Sequence, residues 1–202
     1  MAYVLTSDIV QYGDFDSDFT SDNLDYDWLA GLISKATAII ESYTGRVFEA
    51  ASATRYFDAE KDVSGNTLFL DKDLAVIDSD TVITNGDAAV INSTDYATEP
   101  RNETPYDALT LKGSLGKSWE ADSNGDAENA ISIVGVWGYS VTPPQDIEHA
   151  AIKLVRLMYK QRSGELDSVS PVVTPQGILV MPPGFPRDIL LILDKYKTVR
   201  MA

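Results

Sequence analysis

Two kinds of hydrophobic spacing divide the chain. Between residues 24 and 44, Trp28, Leu29, Leu32, Ile33, Ala36, Ile39, Ile40 and Tyr43 recur every three or four positions, the signature of one apolar helix face. Asp22, Asp25 and Asp27 supply a cap and favourable charge at its start, and Gly45 suits a left-handed C-terminal stop with Arg46 just beyond it. From residue 54 to 130 the helical period vanishes. Short β-prone runs replace it at 54–58, 67–70, 81–84, 88–91 and 109–112. Turn signals separate them, and Asn85-Gly86 between two such runs is the clearest hairpin.

The stretch 131–162 then reads as strand, corner and helix. Ile131, Ile133, Trp137 and Tyr139 alternate, with Gly135 in the slot between. At Thr142-Pro143-Pro144, Thr142 is a candidate N-cap with Gln145 three residues on, and Pro143 fits the first helical position. Ile147, Ala150, Ala151, Leu154, Val155, Leu157 and Met158 make the apolar face of the helix that follows. Its other face carries His149, Lys153, Arg156 and Lys160.

Residues 163–185 are dense in proline and glycine, with Ile178, Leu179 and Val180 inside a possible strand, and read as a projecting loop. A last helix is expected from Pro186 to near Val199. At the other end, residues 1–23 read as an extended arm in which Tyr3, Leu5 and Ile9 alternate as in a short strand. The expected fold class is therefore α+β: a small bundle of three main helices, carried by a helical core of residues 24–53, 131–162 and 186–200, with an antiparallel β-subdomain (54–130) inserted between the first and second helix. The whole chain, 1–202, is expected to form one domain.

Charge sharpens this picture. The chain carries 31 acidic and 16 basic residues, a formal net charge of −15. The first 27 residues hold seven Asp and no Lys or Arg, and the segment 54–130 holds sixteen acids against six bases. From Ala150 onward the balance reverses, with eight bases and four acids. An acidic body repels a phosphate backbone, which argues against sequence-specific DNA binding. The ordinary reading of the basic helix face is a solvated surface; the sharper one is contact with an acidic partner. No run is long and apolar enough to cross a membrane, and the N-terminus has neither a basic nor an apolar leader region.

Catalytic chemistry finds little support. The chain has no cysteine and one histidine, which excludes disulfides, thiolate nucleophiles and Cys- or two-His-ligated zinc. His149 falls away from the apolar stripe and reads as a surface histidine. No Gly-x-Ser-x-Gly elbow, Walker loop or Gly-x-Gly-x-x-Gly is present. Carboxylate pairs for glycoside hydrolysis are always available among 31 acids, so their abundance says nothing. The run Asp14–Asp18 resembles the start of a calcium loop, but Phe19 stands where the turn needs Gly and Asp25 where a bidentate Glu is needed. No cofactor or metal is expected. Trp119, in the polar stretch Lys117-Ser118-Trp119-Glu120, is a candidate exposed interface residue.

Five short pieces, taken in order, resemble the head–tail connector (adaptor, head-completion) proteins of tailed bacteriophages. They are Ile39-Ile40-Glu41-Ser42-Tyr43-Thr44-Gly45-Arg46, Val136-Trp137-Gly138-Tyr139, Pro143-Pro144-Gln145-Asp146-Ile147, Leu157-Met158-Tyr159-Lys160, and the final Pro-led helix with Lys195-Tyr196. They cover about half of the chain. The resemblance implies a non-enzymatic virion protein of the neck, made in the host cytoplasm. Such proteins form a homo-oligomeric ring, usually a dodecamer, between the portal protein and the next neck or tail component. DNA passes through the channel without sequence-specific binding. Candidate interface residues are then Lys153, Arg156 and Lys160 on the basic helix face, Trp119, and Ile178, Leu179 and Val180 in the loop. The rival expectations are a β-rich ligand- or carbohydrate-binding module on a helical scaffold and a carboxylate hydrolase.

Overall fold

A computed structural model of the protein describes residues 3–12, 24–163, 172–173, 179–180 and 186–198, with backbone alone at 24–26, 161–163, 172–173 and 179–180. It divides into two compact units, a helical one built from Met1–Arg46 and Pro143–Ala202 and a β unit, Val47–Thr142.

The helical unit has four described helices, α1 (Thr6–Tyr12), α2 (Leu24–Thr44), α3 (Gln145–Ser163) and α4 (Arg187–Asp194). α2 packs along α3, α4 touches both, and α1 lies against both as well. The stripes read from the sequence face inward. Leu29, Leu32, Ile33, Ala36 and Ile40 of α2 are buried, as are Ile147, Ala150, Ala151, Leu154 and Val155 of α3. α2 ends as expected: Gly45 takes φ +72° and its N–H donates to the Glu41 carbonyl.

Three local expectations are corrected here. Residues near the N-terminus form a helix where a strand was read. The Asp8 carboxylate accepts the Leu5 N–H at 2.8 Å, capping the first turn, while Tyr3, Val4 and Ile9 are buried and Leu5 is 66% exposed. Helix α3 starts at Gln145, not at Pro143, and Thr142 does not cap it; the Pro144 carbonyl accepts the N–H groups of Ile147 and Glu148. Thr142 and Pro143 each precede a proline, and that position disfavours helical backbone. The last helix ends at Asp194, well short of Val199, which lies outside the described residues. After it the chain turns back, and Thr198 N–H donates to the Thr44 carbonyl at the end of α2.

The β unit contains eight antiparallel strands: β1 (Ala51–Phe57), β2 (Val63–Ser64), β3 (Thr67–Val76), β4 (Val82–Asn85), β5 (Ala89–Ile91), β6 (Tyr96–Glu99), β7 (Tyr106–Leu111) and β8 (Ile131–Trp137). The order is β5-β4-β8-β3-β7-β6, with β1 on β8 and β2 on β3. The sequence groups the 131–137 strand with the helices. It is instead the centre of the sheet: β1 lies along one edge for its full length, while β3 and β4 share the other. A two-stranded antiparallel sheet of β9 (Val172–Val173) and β10 (Leu179–Val180) stands apart from it.

The alternation of β8 divides the sheet into two faces. Ile131 and Ile133 pair with Phe57 and Arg55 on β1, Ile133 also with Ile83 on β4, and Trp137 with Leu74 on β3. These face inward, and all but Arg55 belong to the core, joined by Leu68, Ile91, Leu109, Leu111 and Trp119. The outward rows differ in character. One runs Tyr56–Ser132–Thr84–Val90, with Thr84 and Ser132 hydroxyls 2.7 Å apart, and the next runs Thr54–Val134–Val82.

Several turns of the β unit are held by carboxylates. Lys117 and then the Asn92 N–H hold the Asp95 carboxyl below the usual carboxylate range; the Asn129 N–H and Lys61 do the same for Asp58, and the Asp126 N–H and the Asn124 side chain for Asp122. A depressed folded pKa contributes stability that is complete above the unfolded value near pH 4 and is lost as the pH falls through the lower folded value. The isoelectric point is about 4.3, so net repulsion is already small there. Stability is therefore expected to fall below pH 4 although the charge is balanced near that point. Asp95→Asn should be less stable than the parent at pH 7 in urea denaturation, with the gap closing by pH 3. A gap that is the same at both values would remove Asp95 from this account.

Candidate assembly interface

The basic face of α3 is used within the protomer. The Lys153 ammonium donates to Asp188 on α4 at 2.6 Å and holds that carboxyl below its usual range. The Tyr12 ring, at the end of α1, lies against both His149 and Arg156. Its hydroxyl sits 3.2 Å from His149 Nδ1, and the Arg156 guanidinium carbon is 5.9 Å from its centroid. Lys160, one turn beyond Arg156, is half-buried. His149 thus has a ring partner, and the cationic stripe pins α1 and α4 onto α3. It keeps outward charge all the same, since Lys153 and Asp188 are 36% and 56% exposed. Exposed pairs of this kind contribute about 0–1 kcal/mol. Lys153→Ala is therefore expected to leave the thermal midpoint within a few degrees of the parent, so that any assembly defect it shows is a surface effect.

Three of the five pieces that carry the family resemblance, 39–46, 143–147 and the one with Lys195-Tyr196, meet at one junction of the helical unit. Arg46 Nε donates to the Tyr196 carbonyl at 2.8 Å, and the Tyr196 hydroxyl donates to Asp146 in the first turn of α3 at 2.7 Å. Tyr43 donates to Asp194 at 2.6 Å, and this bond chiefly raises the phenol pKa. Residues 50 to 151 positions apart in sequence therefore fasten the ends of three helices together. No sequence spacing could have announced this, and their role here is architectural.

Trp119 is not exposed, contrary to its polar surroundings in sequence. It is 7% accessible, packs in the core of the β unit, and its indole N–H donates to the Asn66 carbonyl at 2.9 Å. The polar neighbours are satisfied by the sheet: Asn85 donates to the Ser118 carbonyl and accepts the Glu120 N–H, and Lys117 pairs with Asp95. Leu179 and Val180 lie on β10, described in backbone only. Ile178 and the calcium-like run Asp14–Asp18 fall outside the described residues.

Among the described residues no cluster of three or more His, Asp or Glu side chains is placed to hold a metal ion. None of the described helices is long and apolar enough to cross a membrane. Open clefts lie on the β unit. One of about 420 Å³ follows β1 and is lined by Ala53, Thr54, Arg55, Tyr56 and Asn129. Another, of about 390 Å³, lies among Tyr96, Arg101 and Tyr106. Neither gathers an acid, a base and a nucleophile.

In sequence, the chain matches no protein family and no curated protein. In structure it matches a chain of the neck of an empty gene transfer agent particle computed with C6 symmetry. The TM-score is 0.59 at 13% identity, over 99% of this chain and 92% of that one. The two share one fold. A chain from the virion of a native gene transfer agent particle gives the same result, with TM-score 0.60 and 14% identity over the same shares. At such identity the likeness concerns the fold. The matched share takes in residues of both units.

Proposed function

We propose that this protein is a structural component of the neck of a tailed-phage-like particle, a head–tail connector that forms a ring beneath the portal. The observation that carries the reading is near full-length correspondence of fold with chains of gene transfer agent neck and virion structures. The connector-like sequence pieces support it independently, because they are read from residues and not from the fold. The role is structural, with no catalytic step. In this reading about twelve copies assemble, the portal protein binds on one side, and a downstream neck or tail component binds on the other. The protein resides in the virion neck after assembly in the host cytoplasm. The chain's strong net negative charge suits a passage through which DNA moves without sticking. Candidate contacts are Lys153, Arg156 and Lys160, together with the β9–β10 segment around Ile178, Leu179 and Val180.

The direct test images the purified protein alone and with its cognate portal by negative-stain electron microscopy. Rings, free or stacked on the portal, with a countable symmetry are the expected result. Compact monomers that ignore the portal at every concentration would overturn the reading.

A further inference from the structure

Strand β1 is built as though its outer side were covered. It pairs with β8 along one edge, in continuous register from Ala51↔Trp137 to Phe57↔Ile131, and with no other strand among the described residues. Ala51 to Thr54 are exposed on both faces. Exposed edge strands are usually blunted by proline, by an outward lysine or by a bulge. β1 has none of these. Its one charge, Arg55, belongs to the opposite face of the sheet and borders the cleft; it is 32% exposed, sits 5.3 Å from the Trp137 ring centroid and is neutralised by Asp71.

The sheet face beside this edge is equally unusual for this chain. Tyr56, Val82 and Val90 are 61%, 41% and 57% exposed, and Val134 fills the space between them half-buried. Neither outward row contains an Asp, Glu, Lys or Arg, in a protein where these make up 23% of residues.

From this we infer that the uncharged outer face of β1, β8, β4 and β5, with the free edge of β1 and its cleft, is the surface on which a second copy of this chain packs. The chemistry selects that partner. A nucleic acid calls for Lys and Arg on the surface that meets it, and a cationic protein would be met by the abundant carboxylates. Copies that each carry a net charge of −15 repel one another least where the surface brought into contact is free of acid. Apart from the Ala53 carbonyl, which accepts the Trp137 indole N–H at 2.9 Å, the edge offers backbone N–H and C=O groups to an extended segment of the neighbour. In a ring the contact is heterologous, this face of one copy meeting a different face of the next. The inference rests on the ring reading above and names the surface through which the ring closes.

The protein has no cysteine, so single-cysteine variants report on chosen positions without background. Thr54→Cys and Val90→Cys probe the face, and Asn102→Cys, exposed in the β6–β7 loop, is the control. Each is labelled with a maleimide as dilute monomer and as assembled ring. Both face positions are expected to label in the monomer and to lose labelling in the ring, while the control labels in both. Rings in which both face positions label as fast as the control would overturn the inference and leave the ring reading intact. Protection that appears only when portal is added to preformed rings would also overturn it, since the partner is then a different protein. A parent that never assembles, alone or on the portal, would overturn the ring reading and this inference with it. As a second measurement, Thr54→Lys places a charge at an exposed strand position. It is expected to keep the parent's thermal midpoint and lose ring assembly, and assembly at parental yield would count against the surface.

Discussion

Replacing Gly138 with alanine is expected to disable the β unit. Gly138 follows β8 directly and takes φ +152°, backbone that side-chain-bearing residues rarely adopt. A Cβ built there would lie 2.6 Å from the Ala50 Cα and 3.0 Å from its nitrogen, so it meets main chain that cannot rotate away. That main chain is held from both sides. Gly138 N–H donates to the Asp73 carbonyl, Tyr139 N–H to Val47, and Ala50 N–H to Ser140. Strain at such a φ costs about 1–3 kcal/mol, and overpacking of this kind adds about 1–3 kcal/mol. The sum, on the order of 4 kcal/mol, is a large share of the roughly 5–15 kcal/mol that keeps a domain folded. Gly65→Ala is the matched comparison: its φ is +60°, but nothing stands within 4 Å of the added carbon. It should cost only about 1 kcal/mol, the conformational part alone. Urea denaturation of the two variants separates the effects, and a Gly138→Ala loss no greater than that of Gly65→Ala would sink the argument.

Gly138 also shows where the sequence was informative. The piece Val136-Trp137-Gly138-Tyr139 stood out by resemblance, yet nothing in its spacing said that the glycine was a contact point between β8 and the entry to β1. Elements governed by local periodicity were legible. The bounds of α2, the Asn85-Gly86 hairpin, the strand at 131 and the buried faces of α2 and α3 all follow from patterns a few residues long. The failures arose where a distant partner decides. Tyr3, Leu5 and Ile9 alternate like a strand, but Asp8 caps a helix and Tyr3 donates to Glu41 on α2, which only the folded chain brings near. The grouping of β8 with the helices failed for the same reason: its adjacency to α3 in sequence is local, while its pairing with β1, β3 and β4 is not. His149, Lys153, Arg156 and Lys160 all lie on α3, and what they touch is again set at a distance. Their partners, Tyr12 and Asp188, sit on elements 137 and 35 residues away.

Trp119→Ala is expected to be the other large loss, and it tests the residue that the sequence misread. Polar neighbours on both sides made exposure the natural expectation. In the fold those neighbours form the clamp that turns the ring inward, with the Asn85 amide bonded to Ser118 and Glu120 on either side of it. Truncating a buried Trp costs about 3–5 kcal/mol in lost burial and cavity. Trp119→Phe separates packing from hydrogen bonding. It keeps most of the volume and removes the N–H that reaches the Asn66 carbonyl, an oxygen that also accepts from Leu111 N–H. With one donor remaining, that carbonyl stays satisfied, so the Phe variant should lose only about 1 kcal/mol. Equilibrium unfolding in urea should therefore rank parent, Phe and Ala with a wide gap before Ala. If Trp119 served at an exposed interface instead, both variants would unfold like the parent and differ only in ring assembly, the outcome that would restore the reading from sequence.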